Sequence, residues 1–431
     1  MRAILHADCN GFFASVECLD HPAYWKVPLA VAGDPKSRSG IILAKNELAK
    51  KYDVKTAETI YQALRKCPEL VLVPPRMGRY QEISRLVNQI YLQYTDQVEP
   101  FSIDESFLDV TGSLRYFHAT PRELADRIRE RVRREIGITI SVGVSFNKTF
   151  AKLGSDMKKP DATTVITPDN FRTRVWSLPI GDMLYVGRSA AALLEKRYLY
   201  TIGDFARGRR EDAVRLLGKS GDALWRNANG LDTEPVRTFG DCDPLKSVGN
   251  GMTFRRNLLT EQEIRQAVIA LSDDVASRLR ASGQLCRTLQ VMIRDPMMKT
   301  ISRQAPLPTP THLHRELADA AMGILRASWS IRPDGRCAPI RALTVTGQQL
   351  VFGGAAIRQL SLFDFSAEGA RAEALRQRLE KLEAAMADIR RQYGASSISM
   401  GCVENQELGI RQFGRHGEES ATHAISGAFM P

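Results

Sequence analysis

Three acidic residues stand where they could hold divalent cations. Asp8 follows the apolar run 3–7, while Asp104 and Glu105 lie between the apolar runs 98–103 and 107–110. Neighbouring carboxylates resist joint ionisation unless cations neutralise them. Magnesium binds carboxylates together with substrate phosphates, and two such ions about 4 Å apart activate an attacking oxygen and stabilise a leaving one. The acids therefore predict a site for two magnesium ions and phosphate chemistry; the alternative is that Asp104 and Glu105 are solvated turn residues.

The segments around these acids have the periodicities of one sheet-and-helix unit. Apolar residues recur at helical spacing over 78–94, and Thr120 with Glu123 forms a capping box that begins a second helix. Residues 138–145 alternate apolar and small side chains, as in a half-buried strand. Without the insertion 11–76, the order is that of a ferredoxin-like antiparallel sheet with helices on one face. In that topology the three acids would converge on the open face of the sheet.

The rest of the chain divides into segments of different character. The insertion 11–76 alternates short helices and strands with Gly, Asp and Pro breakers. Residues 171–231 are predicted to form short helices, and 247–350 to combine four strands with two long helices. We therefore expect an α+β protein of several domains.

A last helix carries apolar residues four and three positions apart, and beyond Gly394 we expect a weakly ordered tail. The repeat is too short to require a coiled coil, so packing onto the body of the protein is favoured. The apolar residues of this seam are Leu375, Leu379, Leu382, Met386 and Ile389.

Composition and charge narrow the class of protein. The 431 residues are 43% hydrophobic and 25% charged, as in soluble globular proteins with a packed core. The formal net charge is +11, and 245–350 alone holds 15 Lys and Arg against 8 Asp and Glu. This surplus favours a polyanionic partner such as nucleic acid.

Other features bear on the compartment. Apolar stretches fall short of the roughly 18 residues that a membrane span needs, and the start of the chain lacks the pattern of a signal peptide. The seven cysteines are odd in number and widely spaced, without a C-x-x-C pair. We expect reduced thiols and neither disulfides nor structural zinc. The protein is expected to be cytoplasmic and monomeric.

Several motifs, in order along the chain, resemble the Y-family of DNA polymerases. They are the segments 8–17, 101–109 (Phe-Ser-Ile-Asp-Glu-Ser-Phe-Leu-Asp) and 142–160, and the resemblance extends over about residues 1–365. It implies a template-directed DNA polymerase of low fidelity that synthesises across damaged template. It also implies a right-hand architecture with these domains: palm 1–10 and 77–166, fingers 11–76, helical thumb 167–233, linker 234–243, little finger 244–350, clamp-binding peptide 351–365 and tail 366–431.

The resemblance also implies roles for individual residues. Asp8, Asp104 and Glu105 would hold two Mg²⁺ ions, with the backbone carbonyl of Cys9 completing one shell. The primer 3′ hydroxyl would then attack the α-phosphate of a deoxynucleotide and release pyrophosphate. The nucleotide would be bound by Phe12, by Phe13 as a steric gate against the ribose 2′ hydroxyl, and by Lys50 and Lys159 at the phosphates.

The sequence departs from the family pattern in two places, the phosphate clamp and the residue beside the gate. Many relatives carry a small hydroxyl residue, a tyrosine and an arginine at three-residue spacing as a phosphate clamp, and the matching positions here are Ala44, Glu47 and Lys50. Glu47 cannot donate a hydrogen bond to a phosphate, so Lys50 or the neighbouring lysines 45 and 51 would have to replace the clamp. Gly11 replaces the bulkier residue that is common beside the gate, which would loosen the pocket.

DNA and clamp contacts follow from the same resemblance. A helix-hairpin-helix turn is expected at Gly218, Lys219 and Gly221, and a weaker one at 186–188, because glycine lets backbone N–H groups approach phosphates. Template phosphates would meet Lys246, Arg255 and Arg256, which gives salt-sensitive affinity. A sliding clamp would bind the peptide 359–363 through Gln359, Leu360, Leu362 and Phe363.

Two rival functions remain at this stage. A catalytically silent adaptor for DNA and clamp would not need the three intact acids. A nucleotide cyclase uses a similar sheet and two metals, but would have no use for a primer-gripping thumb, a basic fourth domain or a clamp peptide.

Overall fold

The computed structural model describes residues 1–35, 38, 40–353, 366–394, 397–401 and 407–410. The described residues fall into two compact units, one drawn from 1–32 and 41–242, the other from 33–40 and from 243 onward. In the described part of the chain, no helix is both long and apolar enough to cross a membrane. The predicted clamp-binding residues Gln359, Leu360, Leu362 and Phe363 lie outside the described residues.

The first unit contains eight strands and eleven α-helices among its described residues. The strands are β1 (Ile4–Cys9), β2 (Leu29–Ala32), β3 (Ile42–Lys45), β4 (Val71–Val73), β5 (Val98–Pro100), β6 (Glu105–Asp109), β7 (Ile140–Ser145) and β8 (Thr163–Val165). The helices are α1 (Phe12–Asp20), α2 (Glu47–Lys51), α3 (Ile60–Lys66), α4 (Met77–Tyr91), α5 (Pro121–Glu135), α6 (Lys148–Met157), α7 (Phe171–Val175), α8 (Arg188–Glu195), α9 (Ile202–Arg207), α10 (Arg210–Leu217) and α11 (Lys219–Ala228).

The main sheet of this unit has the strand order β5-β6-β1-β7-β8. The first four strands are antiparallel neighbours in the ferredoxin-like order, which confirms the topology predicted from periodicity. The fifth strand, β8, adds parallel to β7 and was not predicted. Helix α5 begins with the predicted capping box, in which Thr120 and Glu123 each bond the other's backbone N–H.

Two expectations about this sheet were wrong. Strand β7 is buried along its whole length instead of being half-buried, and the face that carries Asp8 is not open. Helix α6 covers that face, and the approach is close: a Cβ on Gly143 of β7 would lie 1.9 Å from the backbone oxygen of Ala151. The alternating small residues of β7 are therefore contacts for a second helix layer and do not face water.

The insertion forms its own small sheet. Its strand order is β3-β2-β4, with β2 antiparallel to β3 and parallel to β4. The helices α2 and α3 begin at side-chain caps provided by Asn46 and Thr59. Strand β4 escaped prediction because three residues are too few for a periodicity to appear.

Residues 171–228 form the expected run of short helices. They surround one apolar cluster that includes Phe171, Ile180, Phe205 and Leu224. Helices α10 and α11 meet at Gly218, whose backbone has a positive φ of 64°. Glycine adopts this conformation without steric cost, so the chain can turn sharply there.

The connecting segment, residues 230–239, is bound to the first unit. The buried Lys148 Nζ lies 2.9 Å from carboxylate oxygens of Glu99 and Glu234, and it also lies over an aromatic ring at 5.2 Å. The Arg237 N–H donates to Glu99 at 2.9 Å, and the Phe239 N–H donates to a carbonyl just before β5 at 3.1 Å. Because its ion pairs are partly buried and its backbone is hydrogen-bonded, this segment is part of the first unit.

The second unit is a four-stranded sheet packed on two long helices. Its elements are β9 (Ser247–Thr260), α12 (Glu261–Ala281), β10 (Gln284–Arg294), β11 (Thr300–Thr311), α13 (His314–Ser328), β12 (Arg336–Phe352) and α14 (Ala367–Tyr393). The strand order is β11-β10-β12-β9, and all neighbours are antiparallel. The predicted helix and strand positions are confirmed, but the strands extend beyond the predicted cores.

Helix α14 packs onto this unit as expected, but through a different face. The buried Glu383 pairs with Arg280 and His314, and Arg390 forms a bidentate pair with Asp273 at 2.8 and 3.1 Å. Three residues of the predicted apolar seam are exposed, namely Leu375, Leu382 and Ile389. Since charged side chains anchor the helix, its apolar periodicity alone gave the wrong orientation.

The expectation of a weakly ordered tail was wrong for residues 407–410. Leu408 and Ile410 are buried in the apolar core of the second unit. The backbone oxygen of Leu408 accepts a hydrogen bond from the N–H of Arg255 at 3.0 Å. Two isolated apolar residues in a polar stretch were too weak a signal to predict that this part of the tail packs on the core.

Candidate active site

Strand pairing brings two of the predicted acids side by side. Asp8 and Glu105 are direct partners in the β1–β6 register, so their side chains lie on the same sheet face. Glu105 is the first residue of β6 rather than a residue between two strands. Asp104 precedes it, and its backbone carbonyl accepts a hydrogen bond from the Cys9 N–H at 3.0 Å. The Ser102 hydroxyl orients the Asp104 carboxylate by donating to Oδ1 at 2.7 Å.

Two lysines approach this face from α6 and the residues that follow it. Lys152 Nζ lies 2.7 Å from Glu105 Oε1 and 3.5 Å from Asp8 Oδ2. Lys159 Nζ lies 2.8 Å from the same Asp8 oxygen. A fourth carboxylate, that of Asp156, accepts from Lys159 at 2.9 Å and lies 3.5 Å from Lys152. The predicted residue Lys159 is therefore in the site, accompanied by residues that were not predicted.

A buried histidine lies beneath Glu105. The ring of His6 is fully buried, and its Nε2 is 3.5 Å from Glu105 Oε2. Its Nδ1 is 2.8 Å from the Ser155 hydroxyl, which donates its own proton to the backbone oxygen of Lys152 at 2.7 Å. The serine therefore accepts from the histidine, which ties β1 to the backbone of α6.

The electrostatics of the acids differ from one another. Burial raises the pKa of Asp8 to about 7, against the opposing effect of Lys159. Burial also raises the pKa of Asp104. For Glu105 burial acts in the same direction, but His6 and Lys152 outweigh it and lower the pKa. Negative charge on Asp8 and Asp104 is thus incompletely compensated, which is the condition that a bound cation relieves.

The donor chemistry suits magnesium, although the side chains are not yet arranged around an ion. Carboxylate oxygens are the protein ligands that Mg²⁺ prefers. Within the described ranges, no three His, Cys, Asp or Glu side chains are close enough together to hold a metal ion as they stand. The Lys152 ammonium group lies between Asp8 and Glu105, so cation binding there requires side-chain movement.

The predicted gate residue Phe13 is held by a tyrosine. Its partly exposed ring stacks on Tyr80 with a centroid distance of 4.3 Å and an interplanar angle of 12°. The Tyr80 hydroxyl donates to Glu17 at 2.6 Å, and Arg76 grips the same buried carboxylate with two bonds of 2.8 and 2.9 Å. Phe12 is buried beside Phe13, at a centroid distance of 5.8 Å. The neighbouring helices α1 and α4 thereby fix the orientation of the ring.

The predicted phosphate residue Lys50 is not brought to the acids. It is exposed on α2 and lies 3.7 Å from Glu47. Lys45 donates to the Thr56 hydroxyl at 3.0 Å, and its pKa is lowered by burial and by the nearby charge of Lys50. At Gly11, the position that departs from the family pattern, a Cβ would lie 2.9 Å from the backbone oxygen of Lys45.

The residues predicted to contact DNA lie in both units. Lys219 begins α11 directly after Gly218, and a Cβ on Gly221 would lie 2.1 Å from the backbone oxygen of Ala213, so the two helices of this hairpin touch. In the second unit, Lys246 precedes β9 and is exposed.

Arg255 and Arg256 lie within strand β9 of the second unit. The Arg256 guanidinium pairs with Glu263 at 2.7 Å and with Glu407 at 3.4 Å. Gly409 approaches the side chain of Arg255 closely, since a Cβ there would lie 2.9 Å from Cγ. The tail residues 407–410 thus contact two predicted DNA-binding arginines.

Sequence reasoning missed the residues that surround the acids. Lys152 and Asp156 are four positions apart, a spacing that places them on one side of a helix. That spacing was a usable signal once α6 was recognised as a helix. Lys159, which was predicted, follows the end of α6 at Met157. His6, Tyr80 and Glu17 carried no such signal, because their roles depend on contacts between distant segments.

Comparison with known proteins gives the class of this fold and site. The model of the impB/mucB/samB family matches residues 7–156, and that of the family's C-terminal domain matches 245–362. A solved Y-family DNA polymerase, a chimera of Dbh and Dpo4, matches with a TM-score of 0.69 at 22% identity, over 81% of this chain and 100% of that one. The fold is thus the right-hand fold of Y-family polymerases, with mixed α/β units.

Curated relatives include several proteins named as forms of DNA polymerase IV. DNA polymerase IV of Acetivibrio thermocellus is 44% identical over 403 residues, which cover 93% of this chain and 97% of that protein. DNA polymerase IV 1 of Bacillus subtilis is 35% identical over 411 residues, 94% of each chain. The chain belongs to the impB/mucB/samB family of Y-family DNA polymerases, and within it the chain is similar to DNA polymerase IV.

Proposed function

We propose that this chain extends a DNA primer by two-metal nucleotidyl transfer at Asp8, Asp104 and Glu105. As a member of its family it is a DNA-directed DNA polymerase, so the proposal concerns the mechanism and the residues. The observation that carries it is the pairing of Asp8 with Glu105 across β1 and β6, with Lys159 on the same face. Template-directed synthesis of low fidelity across damaged DNA is the physiological role that we infer.

The protein's own residues have distinct tasks in this mechanism. Asp8, Asp104, Glu105 and the carbonyl of Cys9 would hold two Mg²⁺ ions. When bound, these would supply activation of the primer 3′ hydroxyl and stabilisation of the leaving pyrophosphate. Ser102 orients Asp104. Lys159, now on Asp8, would neutralise triphosphate charge as a mobile point charge.

The sugar of the incoming nucleotide is selected by shape. Phe13 is partly exposed and rigidly stacked, so a ribose 2′ hydroxyl beneath it would clash or lose its hydrogen-bond partners. Phe12 supports it from the buried side. On the fingers, Lys50 and Lys45 would replace part of the missing phosphate clamp by binding the triphosphate. For this, the triphosphate would have to displace Glu47 from its ion pair with Lys50.

We propose for each domain the role and the bounds that the family resemblance implies. The main sheet and α4–α6 would be the palm (1–10 and 77–166), the small sheet the fingers (11–76) and the helical run the thumb (167–233). A linker (234–243) would lead to a little finger (244–350). Its basic surplus, with Lys246, Arg255 and Arg256, supports contact with template phosphates, as the Gly218 hairpin with Lys219 and Gly221 supports contact with duplex phosphates.

Primer extension tests the proposal. The experiment uses a labelled primer on undamaged template with Mg²⁺ and compares deoxynucleotides with ribonucleotides. We expect extension with deoxynucleotides only, its loss in Asp104→Ala, and full activity in the control Asp169→Ala, which changes an exposed acid remote in sequence from the motifs. If folded, DNA-bound protein did not extend the primer, the adaptor function would replace this one. A cyclic nucleotide product would instead indicate the cyclase.

A sliding clamp is the proposed protein partner. The peptide 359–363 carries the residues Gln359, Leu360, Leu362 and Phe363, which suit an apolar clamp pocket. Deleting the peptide should remove stimulation of synthesis by the clamp and leave basal synthesis intact. Stimulation that survives the deletion would contradict this assignment.

A further inference from the structure

Lys152 is a partly buried cation between the acids. Only 14% of its side chain is exposed, and its ammonium group lies within 3.5 Å of three carboxylates: those of Glu105, Asp8 and Asp156. It bridges two acids that come from different strands. Its charge therefore does what a divalent cation would do there, which is to offset the repulsion between Asp8 and Glu105.

Asp156 offers this ammonium a second position. Its carboxylate lies on α6, one turn beyond Lys152, and is half exposed. It is already 2.9 Å from Lys159 through one oxygen and 3.5 Å from Lys152 through the other. A small rotation of the Lys152 side chain would close the second distance and vacate Glu105.

The backbone beneath Lys152 is fixed while its side chain is not. The carbonyl of Lys152 accepts the Ser155 hydroxyl, which in turn accepts from the buried His6. A lysine side chain has four rotatable bonds, so the ammonium group can move while the backbone of α6 stays in place. Movement of the ammonium group from one carboxylate to the other therefore needs only a change of the Lys152 rotamer.

We propose that Lys152 is an internal counter-cation of this site: it bridges Asp8 and Glu105 in the metal-free protein and passes to Asp156 when divalent cations bind. The inference rests on the proposed function, because it takes these acids as the metal ligands. Lys152 is a positioning residue in this account. It keeps the metal-free acids together and delays metal occupancy until binding is strong enough to displace it.

Binding of Mn²⁺ to the DNA-free, full-length protein tests the inference. The unbound Mn²⁺ is measured by its electron paramagnetic resonance signal. Lys152→Gln removes the competing charge, so affinity should rise on the order of tenfold. Asp156→Asn removes the second position, so affinity should fall. The matched control Lys158→Gln removes an exposed neighbouring charge and should leave affinity nearly unchanged.

Thermal unfolding with EDTA supplies a readout independent of metal binding. Without metal, Lys152→Gln leaves the acids uncompensated, so its Tm should fall further than that of Lys158→Gln. Added Mn²⁺ should then raise its Tm more than it raises that of the unsubstituted protein. Equal behaviour of the two lysine variants in both experiments would overturn the inference. So would unchanged affinity in Asp156→Asn.

One more variant separates this inference from the proposed function. Asp104→Asn should abolish tight Mn²⁺ binding, since it removes a proposed ligand and leaves Lys152 in place. If Asp104→Asn bound Mn²⁺ normally, the proposed metal site would be wrong. If it lost binding while the Lys152 and Lys158 variants behaved alike, only the counter-cation role would fail.

Discussion

The orientation of the Phe13 ring depends on a side chain from another helix. Tyr80 stacks on Phe13, and its hydroxyl is anchored on the buried Glu17. Aromatic stacking restricts a ring more than aliphatic contact does, because offset rings interact by shape and by quadrupole. The proposed gate thus involves a pair of rings, of which only Phe13 was predicted.

Tyr80→Leu should weaken sugar discrimination, because it removes the stacking partner that holds Phe13. The expected result is a rise in ribonucleotide incorporation relative to deoxynucleotide incorporation, measured as the ratio of kcat/KM values for single insertions. Tyr80→Phe is the matched control. It keeps the stack and loses only the hydroxyl, so discrimination should stay close to that of the unsubstituted protein; equal loss in both variants would argue against a role for stacking.

At this scale, the sequence allowed single residues of the candidate site to be predicted, but not the residues that contact them. The three acids could be predicted as candidate site residues because each ends or interrupts an apolar run. Lys152 and Asp156 could not be predicted in this way, because the ferredoxin-like topology leaves that sheet face open and gives no reason to place a helix on it. Lys50 stayed a family-based prediction, and the structure places it beside Glu47.

Among the elements, α6 matters most for the candidate site. It brings Lys152 to the sheet, and the residues that follow it bring Lys159. Gly143 and Gly154 make this possible, since a Cβ on Gly154 would lie 3.1 Å from the Cα of Gly143. The helix and strand backbones are therefore nearly in contact. This closeness places the Lys152 ammonium within reach of Glu105.

Gly143→Ala should destabilise the first unit by about 3 kcal/mol, because overpacking must push α6 away from β7. Urea unfolding measures the change in the free energy of unfolding. Gly78→Ala is the control, since a Cβ at this helical position meets nothing within 4 Å. It should leave stability unchanged or raise it slightly. A Gly143→Ala protein as stable as the control would contradict the close contact.

Helix α14 depends on buried charge for its position. Glu383 is only 4% exposed and is shared by Arg280 and His314. Glu383→Gln should cost about 3 kcal/mol locally, since it leaves the partly buried Arg280 beside a neutral partner. The measurement is hydrogen exchange of the α14 amides, which should become faster. Asp388→Asn removes an exposed ion pair on the same helix and should leave exchange unchanged.

The same carboxylate makes the position of α14 sensitive to acid. Burial would raise the pKa of Glu383, but His314 and Arg280 outweigh it and hold the pKa below its usual 4.5. A carboxyl group with a lowered pKa in the folded state stabilises fully above the unfolded pKa. This contribution is lost as the pH falls below 4.5 toward the folded pKa. The difference in α14 exchange between the unsubstituted protein and Glu383→Gln should therefore shrink below that pH.

Element predictions succeeded where caps and long periodicities agreed. The helices α5 and α12 have capping boxes and were predicted within about a residue at each end. The short strand β4 and the face of α14 were not predictable in this way. Three residues carry no period, and ion pairs between distant segments leave no trace in a hydrophobic pattern.

On the scale of the whole molecule, charge is the dominant sequence property. The net charge of +11 and the surplus in 245–350 predict affinity for DNA that falls as salt rises. The composition indicated a polyanion but could not identify DNA. That step needed the family resemblance.

Lys246→Gln should weaken DNA binding equally for all template sequences, because contact with a phosphate carries no sequence information. The slope of log affinity against log salt should fall in magnitude by about 1. Fluorescence anisotropy of labelled primer-template at several salt concentrations measures both. Lys381→Gln, an exposed lysine on α14, is the control and should retain the original slope. If both variants had the same slope of log affinity against log salt, Lys246 would not be a phosphate contact.

The bound connecting segment also bears on how such a protein can be recombined with its relatives. Residues 230–239 hold Lys148 in its buried position through Glu234, and their backbone N–H groups donate to Glu99 and to a carbonyl just before β5. They belong to the first unit although they lie beyond its last helix. An exchange of second units between relatives would preserve these contacts only if the crossover fell after Phe239. A crossover at the end of α11 would import a foreign partner for a buried lysine.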